Sequence, residues 1–368
     1  MPSKHAKYGP SSMARIMACP ASVELQLQSP PMPESPYAAE GTRAHELAEQ
    51  MLMSPDADYI PEQFEEGMVE AVRIYADYCN PRLDVAEQYG IEARLTLDDD
   101  LFGTADLWTM ANRILEVVDY KHGSGVIVSP KENKQGMTYA GLVFDDPSIP
   151  IKYDDVDKVR ITIVQPRGQG EPTQTWECVP SDIATHMNAV DEAINAAEGP
   201  KPPVKMGEHC RFCKAKLLCP AMKKAEEGVA AFDVNDISPK KLGALLTSAH
   251  ILEGKIKDIY AYAESRIEQG EKVTGWKLVA KRSTRKWTDI KAVMAWCKRN
   301  GKMNVMHKKA LLSVAQASKV LTESEFKTVS NYMDSTSSGT TIAPRSDKRE
   351  EVSTPGASLA ALGQRLNN

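Results

Sequence analysis

The stretch IEARLTLDDDLFGTADLWTMANRILEVVDYK, residues 91–121, decides the fold. Before it the chain reads as helix. Within it the period changes: IEARLTL (91–97) alternates, LFGTADLWTM (101–110) passes through a glycine turn into a second strand, and ILEVVDY (114–120) is a compact apolar strand. Three strands joined by short turns make a meander. Asp119 and Lys121, two apart at the end of the third strand, share one face of the sheet, and pairing with the preceding strand brings Asp106 beside them.

Outward from this stretch, helical spacing marks 11–28 around Cys19-Pro20, then 38–53 and 63–78. KQGMTYAGLVF after Asn133 reads as a helix, VRITIVQP (159–166) and QTWECVP (174–180) as strands, and 181–197 as a helix leading into an EGPKPP linker. This order predicts an α/β (α+β) domain, a mixed central sheet flanked by helices, over residues 1–224. A mainly helical, basic segment follows at 225–333 with a hairpin-like stretch at 275–289, and a Ser/Thr/Gly/Pro-rich tail expected to be mobile from 334 to 368.

Composition narrows the function classes. With 42% hydrophobic and 26% charged residues the 368-residue chain is an ordinary globular protein, and its net charge of −5 excludes a wholly basic polyanion binder. Lys277 to Lys309 is strongly basic against one acid, Asp289, and interleaves Trp276 and Trp287, a combination suited to phosphate contacts and base stacking. No apolar run approaches the roughly 20 residues of a membrane span, and the first residues lack a secretory signal, so the expected address is the cytoplasm, without a membrane partner. The segment GEKVTGWK (270–277) places Trp276 where a phosphate-binding loop needs lysine, so the chain is not expected to supply nucleotide-driven unwinding.

Two constellations carry chemistry. Asp106 and Asp119 form a hard oxygen site suited to Mg²⁺ or Mn²⁺, which polarises a phosphoryl oxygen and activates a bound water, with Lys121 to orient that water or neutralise developing charge. Glu92 is acidic and on a predicted strand, and reads more readily as a solvated face than as a further metal residue; Asp98, Asp99 and Asp100 read as a solvated turn. Of the seven cysteines, Cys210, Cys213 and Cys219 form a C-x2-C-x5-C cluster. Cys19 completes a Cys₄ set if the two ends of the domain meet, with His209 as a substitute ligand. Zinc and a [4Fe–4S] cluster both accept four thiolates. Cys79, Cys178 and Cys297 have no clustered partners and read as small apolar residues.

In order, Gly41-x-x-x-His45, Gly103-x-x-Asp106, Asp119-Tyr120-Lys121 and Gln135-x-x-x-Tyr139 resemble the motifs of the PD-(D/E)XK nuclease superfamily, in the branch of RecB-like domains and CRISPR-associated iron–sulfur exonucleases. The resemblance covers roughly residues 12–222. It implies a restriction-endonuclease-like core and a metal-dependent DNA exonuclease in which His45, Asp106, Asp119 and the Tyr120 carbonyl hold Mg²⁺ or Mn²⁺. Lys121 is then the catalytic lysine, and Gln135 and Tyr139 contact DNA near the scissile phosphate. It also favours a [4Fe–4S] cluster on Cys19, Cys210, Cys213 and Cys219 over structural zinc. The expected partner is DNA with a free end or single-stranded, with a helicase or recombinase alongside. The C-terminal layout is similar to a family of bacteriophage and prophage proteins, which implies recombination, repair or processing of phage DNA in a bacterial host cytoplasm. The competing reading is a non-catalytic nucleic-acid-binding or scaffold protein with a zinc site.

Overall fold

A computed structural model describes residues 6–32, 35–54, 64–233, 238–280, 284–306, 311–336, 340–344 and 350–352. Short helices α1 (Met13–Ala18) and α2 (Ser22–Leu27) precede α3 (Pro36–Met53) and α4 (Glu66–Leu83). Then come β1 (Gln88–Thr96), β2 (Phe102–Ala111), β3 (Ile114–Tyr120), α5 (Lys134–Asp145), β4 (Lys158–Val164), β5 (Thr173–Cys178), α6 (Pro180–Glu198), α7 (Pro220–Ala230) and α8 (Pro239–Glu268). The five strands form one sheet in sequence order, antiparallel except for the parallel β3–β4 pair that α5 connects. The mixed sheet and the meander expected from 91–121 are both present.

The sheet is covered on both faces. On one, Ala44, Leu47 and Ala48 of α3 and Met68, Val72 and Tyr75 of α4 pack on Leu107, Val118, Tyr120 and Val164. On the other, α1, α5 and α6 pack on Leu115, Val117, Val159 and Ile161. This alternation of Val117/Val118 between two cores explains why β3 reads as a continuous apolar run: both faces are buried. Every residue of α5 from Gly136 to Phe144 is buried, as a helix sandwiched between sheet and α6 requires. Its start is fixed by Asn133, whose side-chain oxygen accepts from the Gly136 amide at 3.0 Å. Close approach to the sheet needs the glycine: a Cβ at Gly136 would lie 2.5 Å from Ile161 Cγ2.

Between α5 and α6 lies a buried polar pair. Thr138 Oγ1 donates to the Lys134 carbonyl at 2.6 Å and therefore accepts from His186 Nε2, 2.9 Å away. Burial first, and the Lys134 charge after it, push the His186 pKa down to about 4, so the folded state holds a neutral imidazole.

The chain divides into two compact units, 1–258 and 259–368. The second contains β6 (Trp276–Ala280), β7 (Thr284–Trp287), α9 (Ile290–Arg299), α10 (Met303–Met306), α11 (Val314–Val320), α12 (Glu323–Val329), β8 (Met333–Thr336) and β9 (Thr340–Pro344), around a core of Val293, Trp296, Cys297, Met306 and Ala317. Two expectations are corrected here. The 275–289 stretch is not a hairpin: β6 pairs with β9 and β7 with β8. The first part of the supposed mobile tail supplies those partner strands, in Thr-containing segments with strand propensity. Helices still predominate in this unit. Residues 353–368, and Lys281, Arg282, Lys308 and Lys309 of the basic stretch, lie outside the described residues. No helix among the described residues is long and apolar enough to cross a membrane.

A histidine whose pKa is depressed by folding destabilises the fold as pH drops through the interval between its unfolded and folded values. Relative to His186→Gln, the wild-type chain should lose about 2 kcal/mol of stability between pH 7.5 and pH 4.5, a range that begins above the unfolded value near 6.5 and ends just above the folded value of about 4. Urea unfolding of both proteins at several pH values checks this; parallel stability profiles would show that His186 is not buried neutral.

Candidate metal centre and cysteine cluster

The antiparallel register builds the centre. Leu107 lies opposite Val118, and one step further the same register sets Asp106 across from Asp119. There the regular ladder ends, and the Tyr120 amide donates to the Asp106 carboxylate Oδ2 at 2.7 Å. On the other side of β2, Ile91 pairs with Leu107 and Ala93 with Ala105, which sets Glu92 across from Asp106. Glu92 has φ +42°, a left-handed backbone that costs energy in a non-glycine residue and is concentrated at functional sites. From the facing layer, α3 carries His45, whose Nδ1 is 3.4 Å from Asp106 Oδ1 and 3.9 Å from Glu92 Oε1. Ligand atoms of His45, Glu92 and Asp106 all lie within 4.8 Å of one another, the one such group of three or more His, Cys, Asp or Glu among the described residues.

Beside this trio stands a second, more buried group. Lys121 Nζ donates to Asp119 Oδ1 at 2.9 Å and to Gln135 Oε1 at 3.2 Å, while Gln135 Nε2 donates to Asp119 Oδ1 at 2.9 Å. Asp119 Oδ2 is buried and receives no aligned hydrogen bond, although Lys121 Nζ is 2.8 Å away. Strand β3 thus presents Asp119 and Lys121 together, as the two-residue period requires, and α5 supplies Gln135 from above. One turn on, Tyr139 donates its hydroxyl to the Thr104 carbonyl at 2.6 Å. Gly103 makes room for this contact, since a Cβ there would meet Pro10 at 2.8 Å and the Tyr139 ring at 3.0 Å. Tyr139 therefore braces the strand that carries Asp106.

The electrostatics follow from crowding acids in a partly buried site. Burial, and then the Asp106 charge, raise the Glu92 pKa to about 7. Burial and Asp106 likewise push Asp119 up against the pull of Lys121. Burial also acts on Asp106, but the His45 hydrogen bond and charge, Lys121 and the Tyr120 amide outweigh it and hold its pKa below the ordinary value. On His45 burial opposes charge, and Asp106 and Glu92 overcome it and raise the pKa. Lys121, similarly desolvated, is raised by Asp119 and Asp106. Three carboxylates in this space repel one another, and each cation that enters relieves the repulsion. A group of carboxylates with one imidazole, and an orphaned carboxylate oxygen nearby, is a donor set that fits a divalent metal such as Mn²⁺ or Mg²⁺.

His45, Asp106, Asp119, Tyr120, Lys121, Gln135 and Tyr139, singled out from sequence, all lie within this neighbourhood. Asp119 lies outside the tight trio, engaged by Lys121 and Gln135. Tyr120 contributes its amide, and its buried ring stacks edge-on against His45 at 5.5 Å while its hydroxyl bonds His122 Nδ1 at 2.8 Å. The reading of Glu92 as a solvated face is corrected: its side chain is 21% exposed and faces His45 and Asp106. Only the residue type on a predicted strand hinted at this, because its placement depends on a backbone kink and a distant helix. Asp98, in contrast, closes a turn by accepting from the Asp100 and Leu101 amides.

At the far end of the domain, Cys19, Cys210, Cys213 and Cys219 line one narrow cavity together with His209 and Lys216. None is in a disulfide. The Lys205 amide donates to Cys19 Sγ at 3.5 Å, so the N-terminal segment does meet the loop preceding the triplet. No three of these sulfurs lie within 4.8 Å of one another; the edge of a tetrahedral zinc–thiolate set is about 3.8 Å, from Zn–S bonds of about 2.3 Å. Arg15 is held beside them by Ser22 Oγ at 2.5 Å. Burial lowers its pKa, and Cys213 and Cys19 counter the effect. It has no carboxylate partner among the described residues, and thiolates, if they held a metal, would supply the counter-charge it lacks. The donor set and this guanidinium fit a thiolate-bound metal group. Trp276 stacks edge-on against Tyr260 at 5.6 Å, and Trp287 donates its indole N–H to the Leu312 carbonyl at 2.9 Å; both have packing roles in the second unit.

A family described as "Protein of unknown function (DUF2800)" matches residues 5–350. A solved structure titled "Crystal structure of SSO0001" is similar at 14% identity over 57% of this chain and 84% of its own, with a TM-score of 0.28; at that score it carries no argument.

Titrating the metal-free protein with Mn²⁺ by calorimetry tests the trio. One site is expected, with Glu92→Gln weakening it at least tenfold and Asp106→Asn abolishing it; equal affinity in all three proteins would remove the trio from consideration.

Proposed function

We propose that this chain, which belongs to the DUF2800 family of proteins of unknown function, is a divalent-metal-dependent deoxyribonuclease of PD-(D/E)XK type that hydrolyses phosphodiester bonds, acting as an exonuclease. The observation that carries the reading is the convergence of His45, Glu92 and Asp106 beside the buried Asp119–Lys121–Gln135 group. An ion-pair site built only for stability has no use for a strained glutamate and three mutually repelling carboxylates; a cation site does.

His45, Glu92 and Asp106, with Asp119 and the Tyr120 carbonyl adjoining, would hold Mn²⁺ or Mg²⁺. When bound, the metal would supply Lewis acidity at a phosphoryl oxygen and make a nearby water more acidic. Lys121, held protonated by Asp119 and Asp106, places a fixed positive charge where the pentavalent phosphorus oxygens develop negative charge. Gln135 orients Asp119 and Lys121 together, so that neither needs to reorganise as the phosphate arrives. Tyr139 fixes the β2 backbone through Thr104 and sets the position of Asp106. An imidazole in the ligand set favours Mn²⁺ over Mg²⁺.

Cys19, Cys210, Cys213 and Cys219 would hold a [4Fe–4S] cluster whose role is to pin the N-terminal segment to the end of the nuclease domain. In a phage setting the reading implies recombination, repair or processing of DNA with a free end or a single strand, with unwinding left to a helicase or recombinase partner.

End-labelled linear and closed circular single-stranded DNA, with anaerobically purified protein, test the activity. Linear DNA should be degraded with Mn²⁺, more slowly with Mg²⁺ and not at all with EDTA, and Asp119→Ala should reduce the rate by at least 10³-fold while circular DNA survives. Absence of hydrolysis with either metal would favour the binding or scaffold reading. Elemental analysis of the same preparation should give about four iron and four acid-labile sulfide per chain, as a [4Fe–4S] cluster requires, and Cys210→Ser should lose both; one zinc per chain would replace the cluster with a structural zinc site.

A further inference from the structure

A cleft of about 940 Å³ opens next to the metal centre, at the upper end of the volumes that single small ligands occupy. Its lining includes Gly103, Thr104 and Tyr139, the same wall that braces Asp106, so the cleft and the candidate centre share β2 and α5. Lys7, Arg15, Arg94 and Lys214 line it against a single carboxylate, Asp100, on a chain whose net charge is −5. Two of these cations already have work to do. Lys7 pairs with Glu198 at 3.2 Å, and Arg15 is fixed beside the cysteines. Arg94 and Lys214 are exposed and have no carboxylate partner among the described residues.

Of the two, Arg94 has its guanidinium held in place. The Arg94 guanidinium lies over the Phe102 ring, 3.9 Å from its centroid, which orients it without neutralising it. It sits two residues along β1 from Glu92, about 7 Å by strand rise, so an arginine follows the metal centre at a distance of one or two backbone steps of an extended polymer. Lys214 lies in the cysteine loop; with the Gln26 amide turned so that its oxygen faces both donors, that oxygen accepts from the Lys214 backbone N–H at 3.3 Å and from Arg15 Nε at 3.2 Å, which anchors the backbone that carries the Lys214 ammonium. The cleft also offers apolar surface, including Leu27, which is 70% exposed. Charge along a track with apolar surface beside it suits phosphates and bases together, and a single strand, whose bases are unpaired, can use both.

We infer that this cleft is a binding track for single-stranded DNA, in which Arg94 and Lys214 contact successive backbone phosphates of a strand whose neighbouring phosphodiester lies at the metal centre. The cysteine loop thereby acquires a second role, presenting Lys214 to the strand. The inference rests on the DNA reading above but not on hydrolysis.

Fluorescence anisotropy of a labelled oligothymidylate with the full-length protein in EDTA, over a range of salt concentrations, tests it apart from catalysis. Arg94→Gln/Lys214→Gln should bind at least tenfold more weakly than wild type. Its log K against log salt should be shallower by about 1.4, two phosphate contacts at about 0.7 each. Lys158→Gln, on the distant β4, should change neither quantity, and thermal melting should be the same for all three proteins. Unaltered affinity and slope in the double variant, an equal loss in Lys158→Gln, or no binding by wild type would overturn the track. Binding that follows the expected pattern in a protein that never cuts DNA would sustain the track and refute the nuclease reading instead.

Discussion

Asp106 is the residue on which the geometry of the site turns. The register of β1, β2 and β3 places Glu92 on one side of it and Asp119 on the other, three carboxylates crowded into a largely buried space. Such an arrangement is unstable by itself: each acid raises the cost of ionising the next. The chain offsets this with His45 from the facing helix layer, with Lys121 two residues beyond Asp119 on the same strand face, and with the Tyr120 amide directed at the Asp106 carboxylate. These contacts reduce the repulsion without exhausting the lone pairs, and the Asp119 Oδ2 atom remains without an aligned donor.

The three-layer fold is what makes that concentration of charge affordable. Apolar cores on both faces of the sheet fix β2 and β3 in register, and the twin packing of Val117 and Val118 leaves β3 no freedom to slip. Gly136 lets α5 settle onto β4, and this sets the height at which Gln135 meets Asp119 and Lys121. Tyr139, one turn later, ties the same helix to Thr104 of β2. A shift of α5 would therefore disturb both groups of the site at once.

How much of this was legible in the sequence follows from how local each feature is. The Asp119–Lys121 pair follows from strand periodicity alone, and the meander that brings Asp106 to it follows from three apolar strands with short turns. The helical reading of KQGMTYAGLVF announces α5. Glu92 was misread because its inward orientation depends on a positive φ and on a helix some fifty residues earlier, neither of which periodicity encodes. The nested pairing of β6 with β9 and β7 with β8 was missed for a related reason: adjacent strand signals suggest a hairpin, whereas Leu278 pairs with Ile342 and Arg285 with Ser335, far along the chain. Spacing left open whether Cys19 meets the distant triplet, because that depends on how the two ends of the domain fold together.

The central claim is that His45, Glu92 and Asp106 together hold a divalent metal, and it is tested most directly by anomalous diffraction from crystals soaked in Mn²⁺. The account predicts one strong peak bounded by His45 Nδ1 and the carboxylates of Glu92 and Asp106, next to Asp119. A Mn²⁺-saturated crystal with no density there, or with the ion bound only elsewhere, would contradict it.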